Sequence, residues 1–150
     1  MTSSPQRWVR TYLAALLSFL LLDACWLTWM GPRLYRPALA SLMTDEVNVL
    51  AAGLFYPVYV LGLLVFAIAP ALASGRAAVA LARGALFGLV AYATYDLTNQ
   101  ATLRGWPWLI TAADLAWGAV ASAVASAVAA WIARTGTCPT SPPTNRTRAR

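Results

Sequence analysis

Histidine and lysine are absent from the 150-residue sequence, and cysteine occurs only twice. The usual Ser-His, Cys-His and lysine nucleophile arrangements therefore cannot be built, and neither can the common His/Cys metal sites. Cys25 lies in an apolar segment and Cys138 in a polar tail, so the two predict neither a disulfide framework nor a zinc site. We expect no cofactor and no metal, and we assign no catalytic residue.

Charged residues are scarce as well: five acids and 11 arginines form 11% of the chain, whereas 60% is hydrophobic. This composition lies outside the range of ordinary soluble domains and indicates an integral membrane protein. Its expected partner is the lipid bilayer. The arginines separate apolar segments and fill the C-terminal tail instead of forming one basic face. The net charge of +6 therefore does not predict nucleic-acid binding.

Four apolar segments are long enough to cross the ~30 Å hydrocarbon core as helices. They cover about residues 9–30, 47–69, 84–103 and 112–133. The predicted fold is all-α, a polytopic membrane protein with a single four-transmembrane-helix bundle over residues 1–134. Residues 135–150 are rich in Thr, Pro, Ser and Arg and cannot form a core, so a disordered basic cytoplasmic tail is predicted there.

Turn residues mark the breaks between the spans. Gly31-Pro32 is predicted to end the first span, and Pro70 with Ser74-Gly75 to separate the second span from the third. Apolar residues at helical spacing within residues 31–46 predict a short, separate interfacial helix. Residues 44–46 supply oxygen acceptors and negative charge at the predicted start of the second span.

Arginines gather at one end of the predicted bundle, eight against three. The positive-inside rule then places both termini in the cytoplasm. The opposite end carries four tryptophans suited to the outer interface of the bilayer: Trp26, Trp29, Trp106 and Trp108. Arginine without lysine, together with abundant alanine, is typical of a GC-rich bacterial genome, so the predicted location is the bacterial inner (cytoplasmic) membrane.

One alternative changes this topology. Arg7, Arg10, the apolar stretch after them and the run Leu22-Asp23-Ala24-Cys25 also resemble a lipoprotein signal with Cys25 acylated. Asp23 departs from the small or apolar residue usual at its position. Cleavage there would remove the first span and leave a bundle with one helix fewer.

Three acids, Asp23, Asp96 and Asp114, lie within or at the edge of spans, where a charged side chain costs a few kcal/mol. Asp23 and Asp96 each follow an arginine by 13 residues on an outward-running helix, which places both ~20 Å from the inner boundary. Asp114 begins an inward-running helix. All three acids are expected to converge in the outer half of the bundle.

Tyrosines, tryptophans and an asparagine accompany these acids. Tyr92, Tyr95, Asp96 and Asn99 follow at i, i+3, i+4 and i+7 and are predicted to form one polar helix face. The predicted ligand-binding residues, facing outward, are Asp23, Asp96, Tyr56, Tyr92, Tyr95, Asn99, Trp26, Asp114 and Trp117.

Two interpretations of these residues stay open. Asp23 and Asp96 would hold a small polar or cationic ligand, or act as a proton-titrating pair. Alternatively, each acid pairs with an outer arginine or a tyrosine hydroxyl and only locks the helices together. For Asp114 the structural role is favoured, because Thr111-x-x-Asp114 is a variant of the capping box.

Small residues recur every four positions on the third and fourth spans. They are Ala80, Gly84 and Gly88 on the third, and Gly118, Ser122, Ser126 and Ala130 on the fourth. This spacing predicts that the two helices approach closely.

Residues 86–106, read as LFGxxAYATYDLTNxATLxGW, resemble the signature of a known family, and Asp23-x-x-Trp26 and Asp114-x-x-Trp117-Gly118 extend the match. The sequence is similar to an uncharacterised family of small four-helix bacterial inner-membrane proteins, domain-of-unknown-function family 2177, over about residues 8–133. The resemblance implies the same four-helix architecture but no established activity, ligand or catalytic residue. The resemblance also implies a genomic association with membrane-lipid modification or with light and oxidative stress, which slightly favours a lipid-related role.

The leading functional hypothesis is non-enzymatic binding or translocation of a small polar or cationic ligand, or a proton, at the outward-facing Asp/Tyr cluster. One alternative is an intramembrane enzyme in membrane-lipid modification, with the acids as general acid and base. The other is an accessory subunit that binds another membrane protein or a second copy of the chain through its small-residue faces.

Overall fold

The computed structural model describes residues 4–44 and 46–135. Four helices are long and apolar enough to span a membrane: α1 (Pro5–Leu39), α2 (Val49–Ser74), α3 (Ala77–Thr102) and α4 (Trp108–Thr135). No strand occurs in these described ranges. The all-α, four-helix prediction is confirmed, and the predicted disordered tail lies outside the described residues from position 136 onward.

Helix α1 does not end at Gly31-Pro32 as predicted. A π-helical turn, Gly31–Tyr35, and one further α-helical turn, Arg36–Leu39, continue it beyond Met30. Pro32 stands inside this continuous helix, in the π-helical turn, so its missing N–H removes one backbone hydrogen bond to the preceding turn. The prediction of a separate interfacial helix is therefore wrong, because the wider turn absorbs the proline and the helix goes on.

Helix α2 begins and ends later than predicted. Asn48 caps it by accepting a 3.0 Å hydrogen bond from the backbone N–H of Ala51, so residues 44–46 are not its start. Pro70 does not end it either, because a π-helical turn, Leu64–Ile68, precedes the proline. The helix ends at Ser74, so the Ser74-Gly75 part of the predicted break is confirmed. Gly75 has a φ of 68°, the left-handed conformation that glycine adopts without steric cost.

Helix α4 lies at the centre of the bundle. In an apolar stretch of 18 residues in α4, 39% of the residues are buried, against 17% in the corresponding stretch of each of the other three helices. Its small residues allow α3 to approach: a Cβ at Gly84 would lie 2.6 Å from the Ser122 carbonyl oxygen, and one at Gly88 would collide with the Gly118 carbonyl. The predicted close contact of these two helices is confirmed.

The two ends of the bundle differ in side-chain chemistry. The basic end carries Arg7, Arg10, Arg76, Arg83 and Arg134. The aromatic end, where α1 ends and α2 and α4 begin, carries the four tryptophans of the predicted outer interface, and there Leu39, Trp106 and Ile110 form a small buried cluster. The predicted site residues lie toward this aromatic end.

Candidate functional site

Asp23 connects three helices through its carboxylate. It is buried on α1, with 6% of its surface exposed. The Tyr56 hydroxyl of α2 donates to Oδ2 at 2.7 Å, and the Trp117 indole N–H of α4 donates to Oδ1 at 3.2 Å. Both carboxylate oxygens therefore have a donor from a different helix, which is the geometry of a brace within the bundle.

A second hydrogen-bonded chain begins one turn further along α1. The Trp26 ring stacks on Trp117, with centroids 4.4 Å apart, and its N–H donates to the Tyr35 hydroxyl at 2.9 Å. Tyr35 in turn donates to Oδ1 of Asp114 on α4. Tyr35 is absent from the predicted site, although it belongs to the apolar helical pattern of residues 31–46. Its role depends on the π-helical turn that carries it over α4.

A cavity of about 320 Å³ lies between α2, α3 and α4, and we name it the Asp114 cavity. Its lining is Phe55, Tyr59, Ala91, Tyr92, Tyr95 and Asp114. The Tyr59 and Tyr92 rings stand nearly perpendicular, with centroids 6.2 Å apart, and Phe55 adds a third ring 5.3 Å from Tyr59. Three of the predicted residues, Tyr92, Tyr95 and Asp114, thus meet at one cavity, whereas Phe55 and Tyr59 lie outside the predicted set.

Asp114 is the acidic residue of this lining and is 7% exposed. The expected capping box is wrong, because α4 begins at Trp108 and Thr111 is already inside the helix. The Thr111 hydroxyl instead accepts a 3.2 Å bond from the Trp106 indole N–H. Asp114 is therefore free of a capping role, and Tyr35 is the donor that holds its carboxylate.

Asp96 faces a different environment from Asp23 and Asp114. It is fully buried, and neither of its carboxylate oxygens has a hydrogen-bond partner among the described residues. The indole N–H of Trp106 is its polar neighbour, but that group donates to Thr111. Asp96 does not line the Asp114 cavity, and it shares no hydrogen-bond partner with Asp23.

The predicted polar face of α3 is divided between two surfaces. Consecutive residues of an α-helix point ~100° apart, so Tyr95 and Asp96 lie on different faces of α3, although both approach Trp106. Tyr95 is 58% exposed, lines the cavity and meets the edge of the Trp106 ring at 5.9 Å. Asp96 is buried, and Asn99 is half-buried and outside the cavity lining.

Two tyrosine hydroxyls and one indole, and not arginines, are the hydrogen-bond partners of Asp23 and Asp114 across residues 4–44 and 46–135. No group of three or more His, Cys, Asp or Glu side chains in the same ranges could hold a metal ion. A cavity lined by aromatic rings and one carboxylate suits a positively charged group. The rings attract a cation over their faces, and the carboxylate attracts it through its negative charge.

The chain matches a known protein family. No curated protein and no solved structure matches the chain. A family model described as "Predicted membrane protein (DUF2177)" matches residues 8–131, which include the four helices except the first three residues of α1 and the last turn of α4. This four-helix membrane protein therefore belongs to the DUF2177 family.

Proposed function

We propose that this protein binds a small organic cation in the Asp114 cavity, as a binding or translocating protein of the membrane. The observation that carries the proposal is a buried carboxylate beside the rings of Phe55, Tyr59, Tyr92 and Tyr95. A cation over an aromatic face gains roughly 0.5–2 kcal/mol, with the larger values where water is excluded. The bound charge would also offset the cost of keeping the Asp114 carboxylate in a medium of low dielectric.

The size and the exposed rim of the cavity support a ligand with apolar substituents. A volume of about 320 Å³ is at the lower end of the range for small-molecule sites. Tyr95 and Phe55 are 58% and 43% exposed, on surfaces that face lipid in a membrane. A quaternary ammonium compound with short alkyl groups fits this description, because it joins a positive charge to an apolar surface.

Three of the other predicted residues, Asp23, Trp26 and Trp117, hold the bundle around the Asp114 cavity. Asp23 braces α1, α2 and α4, and the stacked rings of Trp26 and Trp117 position Tyr35 against Asp114. Binding is favoured over catalysis because, without histidine or lysine, the usual Ser-His, Cys-His and lysine nucleophile arrangements cannot be built.

The proposed location is the bacterial inner membrane, with both termini in the cytoplasm. The excess of arginine at the basic end supports this orientation. The Asp114 cavity would then open in the outer half of the bilayer, where cations outside the cell and lipids of the outer leaflet can reach it.

The test is titration of the purified full-length protein with tetraethylammonium, measured by calorimetry in detergent. Asp114→Asn keeps the shape of the side chain and removes its charge, and we expect binding at least tenfold weaker, a change of about 1.4 kcal/mol. Asp96→Asn is the matched control, because Asp96 is equally acidic and buried but outside the cavity lining. Equal binding by the wild type and the Asp114 variant, or equal loss in both variants, would contradict the proposal.

A further inference from the structure

A second concave surface lies near the basic end, on the opposite half of the bundle from Asp114. We name it the Arg83 groove. It has a volume of about 500 Å³ and is lined by Phe66, Arg83, Leu86, Phe87 and Val90. Phe66, Leu86 and Val90 are 61%, 61% and 56% exposed, so the groove opens toward the surface that meets lipid. Arg83 is the charged residue of this apolar lining.

The sequence explains why an arginine is held at this groove. Pro70 has no N–H, so the Phe66 carbonyl cannot receive the usual helical hydrogen bond from four residues ahead. The Arg83 guanidinium on α3 donates to this carbonyl at 3.5 Å, and the Phe66 and Phe87 rings stack beside it with centroids 6.1 Å apart. A guanidinium has five N–H donors, and this contact uses one. The contact is long for a hydrogen bond, so it directs the guanidinium toward the groove and leaves its donors available for an anion.

The order of residues along α3 matches the order of groups in a phospholipid. Leu86 and Val90 follow Arg83 at i+3 and i+7, so these three residues lie on one helix face. Arg76 is the N-cap residue at the start of α3, seven residues before Arg83. Val90 also lines a neighbouring groove of about 380 Å³ that extends past Leu97. From Arg83 to Leu97 the helix rises ~21 Å, enough to accompany an acyl chain through one leaflet of a core ~30 Å thick.

Charge supports an anionic occupant. No acidic residue occurs in residues 4–22, 64–95 or 115–135, which are the parts of the four helices toward the basic end. Arg134 also reaches α2 there and donates to the Ala71 carbonyl at 3.2 Å. A phosphate at the mouth of the groove would meet the Arg83 guanidinium without an opposing carboxylate. Basic pockets between transmembrane helices bind lipid headgroups in this way.

We propose that the Arg83 groove binds an anionic phospholipid of the leaflet at the basic end. The phosphate contacts the Arg83 guanidinium, and one acyl chain lies along Leu86, Phe87 and Val90. This site is separate from the Asp114 cavity, so it stands independently of the proposed cation binding.

The experiment compares the affinity of the full-length protein for phosphatidylglycerol and for phosphatidylcholine, by native mass spectrometry of lipid-bound states in detergent. We expect a preference for phosphatidylglycerol that Arg83→Gln reduces about fivefold, the factor for ~1 kcal/mol per arginine near an anionic lipid surface. Arg104→Gln, which removes the same charge at the aromatic end, is the matched control and is expected to keep the preference.

Val90→Trp provides a second variant that fills the groove without changing charge. We expect it to weaken phosphatidylglycerol binding while the far-UV circular dichroism stays that of the wild type. If Arg83→Gln does not fold, the Val90 variant decides the result, and a folded Val90→Trp protein with full affinity overturns the proposal. Equal loss in the Arg83 and Arg104 variants would point to net charge alone. Full competition by free glycerol phosphate would assign the site to a soluble phosphate instead of a lipid.

Discussion

Replacement of Tyr56 by Phe should destabilise the bundle more than any other single loss of a tyrosine hydroxyl between α1 and α2. The change removes one oxygen and leaves the ring in place. It deprives Oδ2 of Asp23 of a 2.7 Å hydrogen bond at a residue that is 6% exposed, so water cannot readily take over as donor. Hydrogen bonds to charged groups contribute about 1.5–3 kcal/mol, and we expect a loss in this range.

Tyr12→Phe is the matched control, because the same substitution removes a hydroxyl between the same two helices. The Tyr12 hydroxyl donates to the Pro57 carbonyl at 3.1 Å, a neutral acceptor. Hydrogen bonds between transmembrane helices average about 0.6 kcal/mol, so we expect a loss near that value.

The free energy of unfolding can be measured by titration with sodium dodecyl sulfate in mixed micelles, followed by far-UV circular dichroism. The double variant Tyr56→Phe with Asp23→Asn should lose less than the sum of the two single variants, because both act on one hydrogen bond. Strict additivity, or an equal loss in the Tyr56 and Tyr12 variants, would refute the bracing role of Asp23.

Two further outcomes follow from the helix contacts and the arginine pattern. Gly88→Ala should cost about 1–3 kcal/mol in the same unfolding assay, because the new methyl group collides with the Gly118 carbonyl. At Gly53 no atom lies within 4 Å of an added Cβ, so Gly53→Ala should be neutral or stabilise the protein by about 0.5–1 kcal/mol. Similar effects at both glycines would contradict the packing of α3 on α4. A reporter active only in the cytoplasm should work when fused after Thr135 and fail when inserted at Thr44, and the reverse result would overturn the proposed orientation.

Helix number and helix pairing were predictable because they depend on composition and spacing. Runs of about 20 apolar residues have to be helical in a bilayer, where every backbone N–H and C=O needs a partner within the segment. The small residues at four-residue spacing predicted the contact of α3 with α4, which Gly84 and Gly88 make. Helix ends were less predictable, since Gly31-Pro32 and Pro70 interrupt a helix only if no π-helical turn accommodates the proline.

The three acids in the spans separate what the sequence predicts from what only the tertiary structure decides. The sequence by itself predicted that Asp23, Asp96 and Asp114 lie in the same half of the bundle, because helix rise converts residue number into distance along the helix axis. Only the tertiary structure decided their partners: Tyr56 and Trp117 for Asp23, Tyr35 for Asp114, and no hydrogen-bond donor among the described residues for Asp96. Rotation about each helix axis is set by side-chain packing against neighbouring helices. A difference of ~100° therefore separates Tyr95, which lines a cavity, from Asp96, which is fully buried.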